Sequence, residues 1–454
     1  MHISDLIKKT PTPHLIKTLK NQKSSPNWTP QLITQTLKSL WNDGPKAFLL
    51  FTHLSKTHQS LTLESFDLII DILGRMRDFK KLWSLVSEMP RHGLHPSHKT
   101  FAIIMERYVS AGKADRAIRA FSLMQIHGCP PNLQAFNTLL DILCKSKRVE
   151  RAQELFRALR HRFKPDTITY NILADGWCIV RKTQMAVRVF REMVELDLSP
   201  SLSTYNILLK GFFRTGELTS AWSFFVEMKK RGCVPDAITY TTLVHGFGMA
   251  GDLDKACKIF EGVKEKGCLP NVATYNAMIM VLCKKGPLER AKLIFSEMEN
   301  KGYEPNLTTY NLLIRAFSHD GRDMEGALGL LERMREKGCT PSVQTHNILM
   351  RSFCEIGEVE RAFEVWERME GEGCFGNLDS YNVMLSALCV NERREEFLRA
   401  GKMVVEMVER GHVPQRLVFT RVVNGLLLTG NQGFAKELLR VQSQCKRLCR
   451  EIRL

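Results

Sequence analysis

From Val272 to Asn306 the apolar positions fall on two stripes of helical period. Tyr275, Met278, Ile279 and Leu282 recur at i, i+3, i+4 and i+7, and Leu288, Ala291, Phe295 and Met298 form a second run. This spacing predicts two amphipathic helices. Gly286 stands where the first must stop and Gly302 where the second must, and each is expected to take the left-handed cap that a side chain disfavours. Pro305 then bars simple continuation.

The same pattern is rewritten along the chain. Units begin at Trp28, Leu63, His98, Leu133, Thr167, Leu202, Ala237, Val272, Leu307, Val343, Leu378 and Arg416. The spacing is 35 residues except for 34 after Leu133, 36 after Leu307 and 38 after Leu378, so the differences are expected in turns or helix ends. A small residue recurs in the second helix at Ala47, Ala117, Ala152, Ala186, Ala221, Ala256, Ala291, Ala327, Ala362, Ala400 and Ala435, with Leu82 the exception. Alanine there implies helices too close for anything larger. Two short helices cannot bury their apolar faces alone, so the pattern predicts an all-α solenoid of about twelve helix-turn-helix repeats. The organisation expected is a presequence at 1–27, two degenerate capping repeats at 28–97, the regular array at 98–415 and a terminal repeat and cap at 416–454.

Composition changes the picture in three places. Among 454 residues, Lys and Arg number 65 against 48 Asp and Glu, a formal charge of +17; a polyanionic partner or plain solubility accounts for this equally. Residues 1–27 carry Lys8, Lys9, Lys17, Lys20 and Lys23 against the single acid Asp5, the balance of an organelle presequence, although Pro11 and Pro13 interrupt it and Arg is absent. Ten of the 13 cysteines sit at two repeat phases: Cys144, Cys178, Cys283, Cys354 and Cys389 late in first helices, and Cys129, Cys233, Cys268, Cys339 and Cys374 before turns. Packing explains them better than disulfides. No CxxC occurs, Cys445 and Cys449 lack a nearby His, and no apolar run approaches the ~18 residues of a membrane span, so neither zinc nor membrane is expected.

PDAITYTTLVHGFGMAGDLDKACKIFEGVKEKGCLPN from Pro235 and PNLTTYNLLIRAFSHDG from Pro305 resemble the pentatricopeptide repeats of plant organelle proteins, and the resemblance covers residues 28 to about 450. All units are of the plain 35-residue type, as in the P class. The resemblance implies a right-handed superhelix that binds single-stranded RNA, one base per repeat. In that family the fifth and last residues of a unit read the base. The matching pairs are Asn137 with Asp166, Asn171 with Ser201, Asn206 with Asp236, Thr241 with Asn271, Asn276 with Asn306, Asn311 with Ser342, and Asn347 with Asn377. The family's code then implies a target of about 5′-UYUACYC-3′, with the first repeat at the 5′ end. Flanking units are poorer: Asp67 with Ser97 and Ala102 with Asn132 fit no pair, and Asn382 with Gln415 leans to pyrimidine.

Taken as residues alone, Asp, Asn and Ser before a helix are good N-caps, which accounts for the last positions. It does not account for Asn or Thr at the fifth, because Asn is a poor helix former. Asn276 lies about 100° from Tyr275 on a helical wheel, so the seven fifth residues are expected to line one concave face. The family's aliphatic second residue, which clamps the base, is matched by Ile168, Ile238 and Leu417; Lys99, Gln134, Ser203, Ala273, Thr308, Gln344 and Asp379 depart from it. Its phosphate-binding basic residue is matched by Lys145, Arg214 and Lys284. Tyr170, Tyr205, Tyr240, Tyr275 and Tyr310 look like a stacking ladder but lie on the buried stripe, so they belong to the core.

Gly246, Gly248 and Gly251 spell GxGxxG, the dinucleotide fingerprint, but no strand precedes them and Gly251 is the interhelix glycine of its repeat, like Gly112, Gly216, Gly286, Gly321 and Gly357. None of the 13 His is followed by x-Glu, the deaminase signature. An RNA binder without catalysis, cofactor or metal is therefore expected; a protein-binding scaffold is the alternative of another class. The resemblance implies RNA maturation in mitochondria, or alternatively chloroplasts, through group II intron splicing, transcript-end stabilisation or translation, alongside other processing factors.

Overall fold

The computed structural model describes Leu15 and residues 28–41, 43–57, 61–265, 270–320, 323–390 and 393–440. The presequence expected at 1–27, apart from Leu15, lies outside the described residues, as do Gly321, Cys268, Cys445 and Cys449. Every described regular element is helical. First helices are α1 (Pro30–Ser39), α3 (Leu63–Arg75), α5 (His98–Ser110), α7 (Leu133–Lys145), α9 (Thr167–Ile179), α11 (Leu202–Thr215), α13 (Ala237–Met249), α15 (Val272–Lys285), α17 (Leu307–Arg315), α19 (Val343–Glu355), α21 (Leu378–Leu388) and α23 (Arg416–Leu428). Second helices are α2 (Gly44–Thr57), α4 (Phe79–Glu88), α6 (Ala114–Leu123), α8 (Val149–Phe163), α10 (Thr183–Glu195), α12 (Leu218–Lys230), α14 (Leu253–Glu265), α16 (Leu288–Asn300), α18 (Met324–Glu336), α20 (Val359–Gly371) and α22 (Arg394–Glu409). Residues 432–440 are helical after α23. From Leu63 onward, each repeat start read from the sequence is the first residue of a helix; only the first unit differs, where Thr29 caps α1.

The chain forms two compact units, one through Val226 and the other from Glu227. In the first, consecutive first helices α1, α3, α5, α7, α9 and α11 pack side by side, and second helices lie against them. In the second, α13, α15, α17, α19, α21 and α23 do the same. Each unit is thus a stack of helix pairs whose core is renewed repeat by repeat. Tyr275 is fully buried and meets Phe260 edge-on at 5.2 Å, while Tyr381 meets Trp366 at 4.9 Å. Tyr170, Tyr205 and Tyr310 are buried likewise, so the tyrosine ladder is core. The recurring alanines from Ala47 to Ala435 are all fully buried, and so is Leu82.

The irregular spacings have visible causes. The extra residue of the Leu307 unit is taken up by a π-helical turn at Ala316–Asp320 that prolongs α17. Three extra residues in the Leu378 unit lengthen α22 to 16 residues, against 13 in α20. One expectation is corrected. Gly302 caps α16 with φ 78°, but Gly286 is extended at φ −121° and ψ −178°, because it precedes Pro287 and the proline ring excludes the helical regions there.

The cysteines described are free thiols, and Cys144 and Cys178 are wedged under glycines of the next first helix. A Cβ built on Gly176 would come within 2.5 Å of Cys144 Sγ, and one on Gly211 within 2.3 Å of Cys178 Sγ. Burial pushes both thiols up to about 12, so they pack and do not react. Gly248 of the GxGxxG stretch is likewise a packing residue, since a Cβ there would lie 2.3 Å from Val281 Cγ1.

Candidate nucleic-acid interface

The seven last residues all cap helices. Asp166, Ser201, Asp236, Asn271, Asn306, Ser342 and Asn377 each accept the backbone N–H three residues on, at the start of α9, α11, α13, α15, α17, α19 and α21. The residue that supplies this N–H is Thr169, Thr204, Thr239, Thr274, Thr309, Thr345 or Ser380, every one buried. These hydroxyls are the part of the site that sequence reasoning missed. A Thr or Ser three residues after each cap was the available signal.

In four cases, Thr169, Thr274, Thr309 and Ser380, the hydroxyl joins the cap to the fifth residue of the preceding first helix. Thr169 Oγ1 donates to Asn137 Oδ1 at 2.8 Å and lies 2.8 Å from Asp166 Oδ1, while Asn137 Nδ2 donates to Asp166 Oδ1 at 3.4 Å. Thr309 bonds Asn276 Oδ1 at 2.6 Å, and Asn276 Nδ2 donates to Asn306 Oδ1 at 3.3 Å. Ser380 bonds Asn347 Oδ1 at 2.7 Å, and Asn347 Nδ2 donates to Asn377 Oδ1 at 3.3 Å. Thr241 and Thr274 share a hydroxyl contact of 2.9 Å. In these three asparagine pairs the fifth and last residues meet in the seam between neighbouring first helices, and each holds the other's orientation.

In this geometry the fifth residues are recessed. Asn137, Asn206 and Asn347 are only 8%, 6% and 5% exposed, and Asn171, Thr241, Asn276 and Asn311 are half-buried. Asn137 and Asn347 sink because their carbonyls turn into the seam to meet the hydroxyls of Thr169 and Ser380. The last residues offer the wetter edge: Ser201, Asn271, Asn306 and Asn377 are exposed, and Asp166, Asp236 and Ser342 half-buried. Asn206, whose cap is Asp236, leaves Oδ1 buried without a hydrogen-bond partner among the described residues, and so do Asn171 and Asn311, whose caps are serines. There the threonine hydroxyl pairs with the serine hydroxyl instead, Ser201 with Thr204 at 3.1 Å and Ser342 with Thr345 at 3.2 Å.

The Asn137–Asp166 seam opens into a groove pocket lined by Gln134, Asn137, Thr138, Asp141, Asp166 and Ile168. Ile168 is 60% exposed at its edge, and the other two aliphatic second residues, Ile238 and Leu417, are also exposed. An isoleucine held in water on a polar groove is what a flat, apolar ring would cover. Burial raises the Asp166 carboxyl, but the hydrogen bonds from Thr169 and Asn137 outweigh it and hold the group below its ordinary value. Asp166 is ionised, with Oδ1 committed and Oδ2 outside these bonds.

The sequence profile of the PPR repeat family matches the chain in eight overlapping stretches, 100–145, 133–179, 165–214, 200–249, 239–284, 270–319, 308–355 and 343–390, together more than half of its length. The chain belongs to the PPR repeat family. It is 51% identical over 186 residues to a mitochondrial pentatricopeptide repeat-containing protein of Arabidopsis thaliana, covering 40% of this chain and 38% of that one. A second mitochondrial member from the same plant is 32% identical over 190 residues, 42% of this chain and 37% of that one. The aligned stretches thus span well under half of these relatives. Among solved structures, the maize pentatricopeptide repeat protein PPR10 superposes with a TM-score of 0.47 at 24% identity, over 94% of this chain and 66% of that one.

Of the three basic residues matched to the PPR phosphate position, Lys145, Arg214 and Lys284 are all exposed on late turns of first helices, but they are not equivalent. Lys145 is tied to Asp141 at 2.6 Å. Arg214 and Lys284 form no ion pair among the described residues, and Lys284 is close enough to His245 to add to the desolvation that holds that imidazole down. Those residues contain no cluster of three metal-ligating side chains, and no described helix is long and apolar enough to cross a membrane.

Proposed function

We propose that this protein binds single-stranded RNA sequence-specifically in plant mitochondria, presenting its seam pairs to successive bases of about 5′-UYUACYC-3′. The observation that carries this is the hydrogen bonding of fifth to last residue in the Asn137–Asp166, Asn276–Asn306 and Asn347–Asn377 pairs, which leaves one defined edge atom on each last residue. In Asp166 the spare atom is the acceptor Oδ2; in Asn306 it is the donor Nδ2. Uracil presents a donor at N3 and cytosine an acceptor, so the aspartate suits U and the asparagine suits C, the assignments the PPR code implies. Capping alone places no requirement on that second atom.

Arg214 and Lys284 would neutralise phosphate, making affinity fall with salt. The array acts by occupancy, excluding structure or nucleases from the bound segment, as a P-class member does. The mitochondrial relatives and the acid-poor residues 1–27 support that compartment, and assistance to group II intron splicing is the role we assign first, with end stabilisation or translation as the other outcomes. The test has two stages. Anisotropy with 5′-UUUACUC-3′ and its permutations at fixed salt should show about tenfold or greater discrimination at well-formed positions. A protein scaffold would show none. Crosslinking and sequencing of bound organelle RNA, with intron retention measured in a null mutant, then decides the role; normal excision of every intron with loss of one transcript end would remove splicing.

A further inference from the structure

We propose that Arg351 and Asp379 close the last of the seven slots, so that the array reads six bases and the Asn347–Asn377 pair reads none. The proposal rests on the RNA reading above and departs from it at one position. Asp379 is the second residue of the Leu378 unit, the place that Ile168 holds at the edge of the open Asn137–Asp166 pocket. Arg351 lies one turn beyond Asn347 on the same side of α19. Its Nη2 donates to Asp379 Oδ1 at 3.1 Å and Oδ2 at 3.3 Å, and Asn347 Nδ2 reaches the same carboxylate at 3.4 Å.

Donor counting separates this slot from the others. A carboxamide has two N–H groups. Asn137 and Asn276 each spend one, on Asp166 and on Asn306, and keep one for a base. Asn347 spends both, on Asn377 and on Asp379, while its Oδ1 takes the Ser380 hydroxyl. Asn347 then has no N–H left for a ring; Asn377 keeps its Nδ2, but the same Asn347 nitrogen that joins Asn377 also holds the Asp379 carboxylate beside it. The carboxylate adds a second obstacle. Where Ile168 offers an apolar flank, Asp379 sets a negative group against the electron-rich face of a base and beside its phosphate. Arg351, which could have met that phosphate, is engaged by the same carboxylate.

The unaltered full-length chain tests this first. With 5′-UUUACUC-3′ at fixed salt, replacing the first U should weaken binding about tenfold or more, while replacing the seventh C by U, A or G should change it by no more than about twofold. Asp379→Val should create a preference for C at the seventh position of about tenfold. Because Arg351 is then released to phosphate, the salt dependence should steepen by about 0.7 in log–log slope. Equal discrimination at the first and seventh positions in the unaltered protein would overturn the proposal and leave the RNA reading standing. So would an Asp379→Val protein that gains neither preference nor slope. Indifference at every position would remove the RNA reading itself, and this proposal with it.

Discussion

Asp166→Asn isolates base reading from everything else Asp166 does. Its Oδ1 caps α9 through Thr169 N at 2.9 Å, meets Thr169 Oγ1 at 2.8 Å and accepts from Asn137 at 3.4 Å. An asparagine carbonyl can keep all three, because Asn306 does so in the same chain at 3.1, 3.1 and 3.3 Å. Asn and Asp are comparable caps, so stability should stay within about 0.5 kcal/mol. The only local change is at the second atom, where an acceptor becomes a donor. A base contact of this kind is worth about 1–3 kcal/mol, so the preference at the first position should pass from U to C by about tenfold or more. Losing a negative charge also favours every RNA, so the U-to-C ratio and not the bare affinity is the quantity to measure, by anisotropy at constant ionic strength. The carboxyl sits below its ordinary value, so in the unaltered protein that ratio should be flat from neutral pH down to about 5. An Asp166→Asn protein that melts normally and still prefers U would refute the reasoning.

Three further outcomes follow from the same geometry. Thr241→Asn beside Asn271 rebuilds the Asn276–Asn306 arrangement, with Thr274 poised to bond the new carbonyl, and should turn the fourth position from A to C by about tenfold in the same assay. Lys284→Ala should weaken all RNAs alike and flatten the log–log salt slope by about 0.7, whereas Lys145→Ala should change it by less than half as much, since Asp141 already neutralises that lysine. His346 is fully buried where the neighbouring repeats carry Tyr310 and Tyr381, and desolvation holds its imidazole below the ordinary value despite the Ser342 carbonyl and nearby Glu372. The unfolded chain therefore binds a proton that the folded chain resists, and stability should fall as pH drops through about 6.5. His346→Tyr should remove that part of the acid sensitivity, read as a flatter dependence of Tm on pH between about 7 and 5.

The array was legible because its information is local and repeated. Tyr275, Met278 and Leu282 on one stripe and Ala291 on the facing one fix two helices and the distance between them, and the repetition multiplies that signal. Gly286 was misread because a neighbour decided the matter: the proline after it, not the helix before it, set its backbone. The seven pairs were legible as residue types, but their burial was not, because it depends on a contact between units some thirty residues apart. Asn137 and Asn347 are the same residue at the same phase with the same threonine or serine bond, and only Asp379, two positions beyond Asn377, makes one an open reader and the other a saturated amide. A repeat code assigns function by position within one unit. Here the donor that decides a slot is spent by the unit that follows, so the specificity of each repeat belongs to the seam rather than to either helix pair that forms it.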